Sequence, residues 1–352
     1  MGSIKHRRGA CLAVAAITAA ALLGGAVASA SSPRPLMTYI TGLTATPYVW
    51  VALSDGSSPV RLGPASSALI SPDGAQVAAV SIDKGLAGKP STLTLYPTTG
   101  GLPTQVTKNA QFMQLLGWSP DSKLILFTVG AQLDVVDVSN PQMRMIATGS
   151  IYGASFAPGR SEQIVYARSA PNKTAVNLYI ADATGSATRE ITHNGLSELP
   201  LWGANGIVYS HETPRPKNPY PALQLWMIKA NGSNAHQLTG LAVPSNLLGL
   251  TPVPGGFSAN GKHLLANYVG PPGSNHTEAF TVDLSGRKPV IHDLTGQSDG
   301  TIGNAMSADG RTILVTKGTT DNLSALSIET VPWGGGKPTT VISQGAYASW
   351  NY

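Results

Sequence analysis

The segment WSPDSKLILF, residues 118–127, contains the pattern that decides the fold: a bulky residue, a tight turn and then an apolar run. Proline presets φ in such a turn, and the Asp-Ser, Asp-Gly or Asn-Gly pair after it suits a β-hairpin. The segment ISPDGAQVAAV, residues 70–80, repeats the pattern closely. Looser copies follow in residues 156–166, 202–209, 257–265 and 306–315. The residues ahead of the six turns are Ile70, Trp118, Phe156, Trp202, Phe257 and Met306.

The copies recur at the spacing of a known repeat architecture. They lie roughly 40 to 55 residues apart, which is the period of a four-stranded propeller blade. Each copy also contains a second hairpin, most clearly in LWMIKANGSNAHQLT, residues 225–239. Two hairpins make four strands per repeat. The sequence therefore predicts an all-β chain with one β-propeller domain over residues 37–352.

The two ends of the chain complete the count of blades. Residues 348–352, ASWNY, look like an inner strand with Trp350 in the aromatic position. Residues 37–41, 48–53 and 60–62 are three apolar segments without a repeat of their own. Joined together they make one more sheet, and closing the ring removes exposed strand edges. We expect seven blades, with six as the alternative, closed by strands from both termini.

The phrases at residues 71–74, 119–122 and 225–239 resemble the TolB-like family of WD-type propeller repeats. In that family a Ser-Pro-Asp-Gly hairpin precedes an aliphatic strand, an Asp/Asn-Gly turn and a Leu-Thr pair. The likeness extends over most of residues 37–352 and implies the fold. The chain departs from TolB itself because no α/β domain precedes the propeller and because seven blades are expected where TolB has six. Some TolB-like propellers are polysaccharide lyases.

The N-terminus has the features of a bacterial export signal. Lys5, Arg7 and Arg8 precede an apolar, alanine-rich stretch that ends in Ala28-Ser29-Ala30. This order matches a signal peptide with a small-residue cleavage site, and the alternative is an uncleaved membrane anchor. We predict a signal peptide over residues 1–30, a short linker over 31–36 and no membrane insertion after cleavage. The mature protein is expected outside the cytoplasm, either extracellular, periplasmic or associated with the cell wall.

Charge and cysteine content narrow the class of partner. The formal net charge is +5, and removing the three basic residues of the leader leaves +2. Such a value gives no basis for nucleic acid binding. The single cysteine, Cys11, lies in the leader. The mature chain therefore has no disulfide, which is common among exported bacterial proteins.

Signatures of catalysis and of metal binding are missing from the sequence. It contains no Gly-x-Ser-x-Gly elbow, Walker motif or dinucleotide fingerprint, and no His-x-x-x-His pair. His211 and His276 are placed in longer loops and are the histidines most able to join a site built across blades. We predict no cofactor, no metal site and no catalytic residues, and the balance favours a protein that is not an enzyme.

Loop length suggests where binding occurs. Turns between the first and second strands of a blade, and between the third and fourth, share one face, and here they are tight. Loops between the second and third strands and between blades share the other face, vary in length and carry charge, as binding loops do. We call these the tight-turn face and the long-loop face. The predicted binding residues of the long-loop face are Asp83, Lys84, Arg168, Lys173, His211, Glu212, Arg215, Lys217, Tyr220, His276, Lys317 and Asp321.

Three functions fit these observations. The first is a non-catalytic, monomeric exported propeller that binds a protein partner or an envelope polymer through the long-loop face. The second is a lyase or hydrolase acting on an acidic polysaccharide, which requires His211, His276 and loop carboxylates to converge. The third is a structural envelope subunit. The aromatic series before the turns is interpreted as packing between blades and not as a sugar platform.

Overall fold

The computed structural model describes residues 35–82, 90–109, 112–169, 173–213, 222–240, 251–270, 276–294 and 300–351. These residues contain twenty-eight β-strands and one 3-10 helix, η1, Thr320–Ala325. The strands form seven four-stranded antiparallel sheets. The all-β propeller with seven blades is therefore confirmed, and the six-blade alternative is wrong. The predicted signal peptide lies outside the described residues and stays a prediction.

In each of the first three blades, the strands follow one another along the chain from the innermost strand, at the central channel, to the outermost. Blade 1 consists of β4 (Ser67–Ile70), β5 (Gln76–Ile82), β6 (Ser91–Pro97) and β7 (Thr104–Asn109). Blade 2 consists of β8 (Met113–Trp118), β9 (Leu124–Val129), β10 (Gln132–Asp137) and β11 (Met143–Thr148). Blade 3 consists of β12 (Ser150–Ala157), β13 (Arg160–Ser169), β14 (Val176–Asp182) and β15 (Arg189–Glu190).

Blades 4 to 6 repeat the same order. Blade 4 consists of β16 (Ser197–Gly203), β17 (Gly206–Thr213), β18 (Ala222–Ile228) and β19 (His236–Gln237). Blade 5 consists of β20 (Thr251–Phe257), β21 (His263–Val269), β22 (Thr277–Asp283) and β23 (Val290–Asp293). Blade 6 consists of β24 (Thr301–Met306), β25 (Thr312–Lys317), β26 (Ser327–Pro332) and β27 (Thr339–Ile342).

Blade 7 closes the ring with strands from both ends of the chain. Its innermost strand is β28 (Ala346–Trp350), which pairs with β1 (Leu36–Thr41), followed by β2 (Tyr48–Leu53) and β3 (Val60–Pro64). Met37 is opposite Trp350 in this antiparallel pair. The side chain of Asn351 fixes the junction, because its Oδ1 accepts a hydrogen bond from the Leu36 amide at 2.6 Å. The predicted closure is therefore confirmed.

The core lies between blades, because both faces of each sheet are covered by a neighbour. In blade 2, Leu126 and Leu133 pack with the side chains of blade 3. Ile125 and Phe127 point the other way and pack with blade 1. Each of these four residues is at most 1% exposed to solvent. This arrangement explains why the inner strands are apolar runs and not alternating patterns.

The repeated turns share one hydrogen-bond pattern. The hydroxyl of Ser71 donates to Asp73 Oδ1 at 2.6 Å and accepts from the amide of Gln76 at 3.0 Å. The same three-residue link occurs at Ser119, Ser258 and Ser307. These residues therefore stabilise hairpins, as their turn composition predicted, and the pattern belongs to the tight-turn face.

Candidate binding surface on the long-loop face

The two faces differ in the regularity of their connections. On the long-loop face, Gly149 alone joins β11 to β12, whereas residues 318–326, which include η1, separate β25 from β26. On the tight-turn face, each pair of first and second strands within blades 1 to 6 is joined by a short turn, such as residues 119–123 in blade 2. The long-loop face therefore has the variable geometry that the sequence predicted.

Seven of the predicted binding residues fall within the described part of the chain, and all seven lie at the long-loop ends of their blades. They are Arg168 at the end of β13, Lys173 before β14, His211 and Glu212 near the end of β17, His276 before β22, Lys317 at the end of β25 and Asp321 in η1. The other five, Asp83, Lys84, Arg215, Lys217 and Tyr220, lie outside the described residues.

Several strands extend further than the sequence indicated. His211 and Glu212 belong to β17 and not to a loop of the long-loop face, where they were predicted. Arg168 likewise belongs to β13, because β13 pairs with β14 as far as Ser169. Strand length here depends on the partner strand, which a hydrophobic pattern in one segment does not reveal.

His211 is a packed residue of blade 4 and not an exposed loop ligand. Only 8% of it is exposed. Its Nδ1 donates to the Leu196 carbonyl at 3.0 Å, and its ring contacts Trp226 edge-on at 4.8 Å between centroids. Burial lowers its pKa, although the Leu196 carbonyl and Glu212 oppose the shift. His211 is therefore neutral near pH 7 and helps hold the loop that begins β16.

The predicted charged residues that fall within the described part of the chain are spread around the face and do not converge. His276 Nε2 lies 3.2 Å from Glu278 Oε1 in blade 5. Lys317 Nζ lies 4.0 Å from Glu329 Oε2 in blade 6. His211 makes its side-chain contacts within blade 4. Within the residues that the structure describes, no group of three or more His, Cys, Asp or Glu side chains could hold a metal ion.

Arg168 is a cation of this face whose guanidinium contacts both blade 3 and blade 2. Its guanidinium stacks 4.5 Å from the centre of the Tyr179 ring, and Nη1 donates to the Thr148 carbonyl of blade 2 at 3.4 Å. Among the described residues it makes no ion pair. A fixed guanidinium without a carboxylate partner can accept one from a bound molecule.

The sequence analysis missed the aromatic residues on this face. Among the described residues, three aromatic side chains are more than a third exposed: Phe112 at 58%, Tyr347 at 42% and Tyr152 at 38%. Phe112 precedes β8, and Tyr152 and Tyr347 lie near the starts of β12 and β28. All three therefore lie on the long-loop face. Leu196 and Val269, each 37% exposed, add apolar surface to it.

Tyr152 also borders a cavity between the blades. A cavity of about 330 Å³ runs along the inner strands of blades 2 to 5 and is bordered by Gln114, Thr128, Tyr152, Leu199 and Val253. Leu199 has a φ of +53° inside a bulge of β16, which places its backbone against Gly153 of the neighbouring blade. All the residues that line this cavity are uncharged.

Comparison with known proteins supports the fold class. No family model and no curated protein matches the chain. TolB from Acinetobacter baumannii has a similar structure, with 14% identity and a TM-score of 0.54 over 90% of this chain and 82% of that one. An oligogalacturonate lyase from Vibrio parahaemolyticus matches with 11% identity and a TM-score of 0.54, over 88% of this chain and 84% of that one.

A third structure shows how ring closure varies. The β-propeller domain of the Trilobed protease from Pyrococcus furiosus matches with 12% identity and a TM-score of 0.59, over 88% of this chain and 96% of that one. That domain has an open velcro topology, whereas here β28 and β1 pair. The chain thus has the fold of the TolB-like propellers. Its described residues include no helix long and apolar enough to span a bilayer.

Proposed function

We propose that this chain is an exported, non-catalytic propeller that binds a protein partner on its long-loop face. The observation that carries the proposal is the position of the three exposed aromatic side chains, Phe112, Tyr152 and Tyr347, on that one face. Tyrosine, phenylalanine and arginine are enriched in protein interfaces and among the residues that contribute most to binding.

The charges of the face fit the same role. Arg168 is held flat on Tyr179 and is available to a carboxylate of the partner. Lys173 in blade 3 and Asp321 in blade 6 are also exposed on this face. Such polar groups around exposed apolar side chains resemble the rim and core of a protein interface. The similarity to TolB supports the fold that presents this surface.

The test compares two sets of substitutions that remove similar apolar groups from opposite faces. The long-loop variant carries Phe112→Ser, Tyr152→Ser and Tyr347→Asn, since asparagine tolerates the φ of +54° at residue 347. The control carries Val60→Ser, Leu102→Ser and Val290→Ser, which lie at the turns between third and fourth strands. Residues 31–352 of each serve as bait for proteins of the secreted fraction.

We expect the wild-type chain and the control to retain the same partner, and the long-loop variant to lose it while keeping its melting temperature. Normal capture by the long-loop variant would contradict the proposal. Turnover of oligogalacturonate by the wild-type chain would contradict the non-catalytic part of it.

Export is tested separately. Sequencing the N-terminus of the protein recovered outside the cytoplasm is expected to give Ser31 as the first residue. A start at Met1, or a lipid attached to Cys11, would show that the leader is not a cleaved signal peptide.

A further inference from the structure

Four aromatic rings surround an opening at the tight-turn end of the channel. Trp118, Phe156, Trp202 and Phe257 come from the inner strands of blades 2, 3, 4 and 5. Together they border a cavity of about 510 Å³, which we call the aromatic funnel. These rings also pack between blades, as the sequence indicated, since Phe156 is only 7% exposed and the other three contact neighbouring core clusters.

The funnel is confined to one side of the ring. The equivalent residues in blades 6, 7 and 1 are Met306, Trp350 and Ile70, which are 5%, 8% and 4% exposed. Trp118, Trp202 and Phe257 remain half-buried. Packing between blades alone accounts for the buried residues, but it does not account for three aromatic faces left open towards one cavity.

The lining of the funnel is uncharged and offers few polar groups. Its side-chain hydroxyls belong to Ser155 and Ser258. Ser155 Oγ already accepts the Trp202 amide at 2.8 Å. Ser258 Oγ donates to Asn260 at 2.8 Å and accepts the His263 amide at 2.9 Å. A ligand therefore finds mainly aromatic and apolar surface here and no charged side chain.

Prolines remove some of the backbone donors around the funnel. Pro72, Pro120 and Pro158 line it at the turns of blades 1, 2 and 3, and proline has no N–H group. Trp118 Nε1 is already bonded to the Leu69 carbonyl at 2.9 Å. A saccharide, which needs several hydrogen bonds for its hydroxyls, does not match this surface.

The rings are held in place before any ligand binds. The Trp118 hydrogen bond to Leu69 fixes its indole across two blades. Phe257 lies directly over Gly203, where a Cβ atom would come within 2.5 Å of the ring. A preformed site loses little conformational entropy on binding. The volume also falls within the range of about 300–1,000 Å³ that is usual for small-molecule pockets.

We propose that the aromatic funnel binds an uncharged hydrophobic small molecule that carries an aromatic ring. The ring of the ligand stacks against Trp118, Trp202 or Phe257, and its apolar body occupies the space between the prolines. Because the funnel lies on the face opposite to the proposed partner surface, this site is independent of the proposed function. Its success or failure leaves the partner-binding experiment unaffected.

The probe for this site is N-phenyl-1-naphthylamine, a neutral aromatic molecule whose fluorescence rises in apolar surroundings. The mature protein is titrated with the probe, and energy transfer from tryptophan is recorded on excitation of the indoles. We expect saturable binding with transfer from Trp118 and Trp202. Absence of saturable binding to the wild-type protein overturns the proposal.

A filling variant with a matched control locates the probe. Ala204 lines the funnel at the turn of blade 4, and Ala308 occupies the same turn position in blade 6. Ala308 instead borders a separate cavity of about 630 Å³ that is lined by Asp55 and Asp309. Both alanines are replaced by phenylalanine, and the melting temperature of each variant is measured first.

We expect Ala204→Phe to weaken probe binding roughly tenfold or more, because the new ring occupies the stacking position. Ala308→Phe is expected to leave binding unchanged. If Ala204→Phe does not fold, Ala259→Phe fills the same funnel from blade 5. Unchanged binding in a folded filling variant, or displacement of the probe by a neutral oligosaccharide, contradicts the proposal.

Discussion

On the tight-turn face, Ser71, Ser119, Ser258 and Ser307 repeat one hydrogen-bonded turn in four blades. On the long-loop face no such repeat occurs among the described residues, and Phe112, Tyr152 and Tyr347 are exposed at unrelated positions. Repetition indicates a structural requirement that every blade shares. Exposed aromatic residues that differ between blades stabilise the fold little. The comparison suggests that substitutions in the repeated serine turns change stability and that substitutions of these exposed aromatic residues change binding of the protein partner.

The largest effect is expected from deleting residues 349–352, at the tight-turn end of blade 7. The deletion removes Trp350 from the core and the Asn351 bond to Leu36. Loss of one large buried aromatic residue alone costs about 3–5 kcal/mol, and the deletion also opens the ring. We expect aggregation or a large fall in melting temperature, measured by circular dichroism and gel filtration.

The control lies at the other end of the same strand. Tyr347→Asn changes an exposed residue of β28 and is expected to leave the melting curve unchanged. If the deletion also leaves it unchanged, the C-terminal strand is not needed to close the ring and the difference between the two faces disappears.

A smaller loss of stability is expected from Ser307→Ala. The substitution removes the hydrogen bonds to Asp309 and to the Thr312 amide at a residue only 7% exposed. Unsatisfied buried groups of this kind cost about 1–3 kcal/mol. Ser324→Ala, which removes an exposed hydroxyl bonded to Asn322 on the long-loop face, is expected to change stability by under ~0.5 kcal/mol. The free energy of unfolding of each variant is measured with urea. Equal losses of stability in the two variants would contradict the difference between the two faces.

The two faces should also respond to acid in different pH ranges. Burial lowers the pKa of His211, so protonation disfavours the folded state. Stability is therefore expected to fall as the pH drops below about 6.5, the ordinary histidine value, until the folded pKa is passed. The variant His211→Gln removes this dependence. The free energy of unfolding of both proteins is measured between pH 7 and 5 in steps of roughly half a pH unit. Identical profiles in the two proteins would show that His211 is not held neutral.

The turn carboxylates act at lower pH. Hydrogen bonds from the Ser307 hydroxyl and the Arg311 amide lower the pKa of Asp309. The stability they contribute is present above the ordinary aspartate value of about 4 and is lost as the pH falls through the lower folded value. We expect Asp309→Asn to flatten the profile below about pH 4 only. An effect near neutral pH would contradict the assignment.

Much of the fold could be predicted from the sequence because its signals are local. The turn at residues 118–123 and the strand after it identify a blade from neighbouring residues alone. The closure of blade 7 was predicted because three apolar segments near the N-terminus and the C-terminal strand with Trp350 belonged to no complete repeat of their own. The placement of His211 could not be predicted, because β17 continues through it by pairing with β16 and β18. Tyr347 is exposed at a φ of +54° where the pairing of β28 with β1 is irregular, and neither feature has a sequence signature.

The aromatic funnel was missed for a similar reason. Each of Trp118, Trp202 and Phe257 suits packing between blades when it is considered alone. Only the arrangement of four blades around the channel shows that their faces border one cavity.

The smallest effect on stability is expected from substitutions in residues 214–221, a segment that lies outside the described residues and is predicted from the sequence to be a loop. Its four prolines reduce the entropy lost when the loop is ordered against a partner. Replacing Arg215 and Lys217 with alanine is expected to weaken partner binding while changing stability by under ~0.5 kcal/mol. Binding is measured by calorimetry with the captured partner. Normal binding by this variant would remove the loop from the proposed surface.

The division of roles between the two faces is tested most directly by hydrogen exchange of the mature protein with and without its captured partner. The account predicts slower exchange in residues 112–113, 150–153 and 345–348, at the long-loop ends of blades 2, 3 and 7, and unchanged exchange in the turns at 71–75, 119–123 and 307–311. Protection of these turns, with the long-loop segments unchanged, would contradict it.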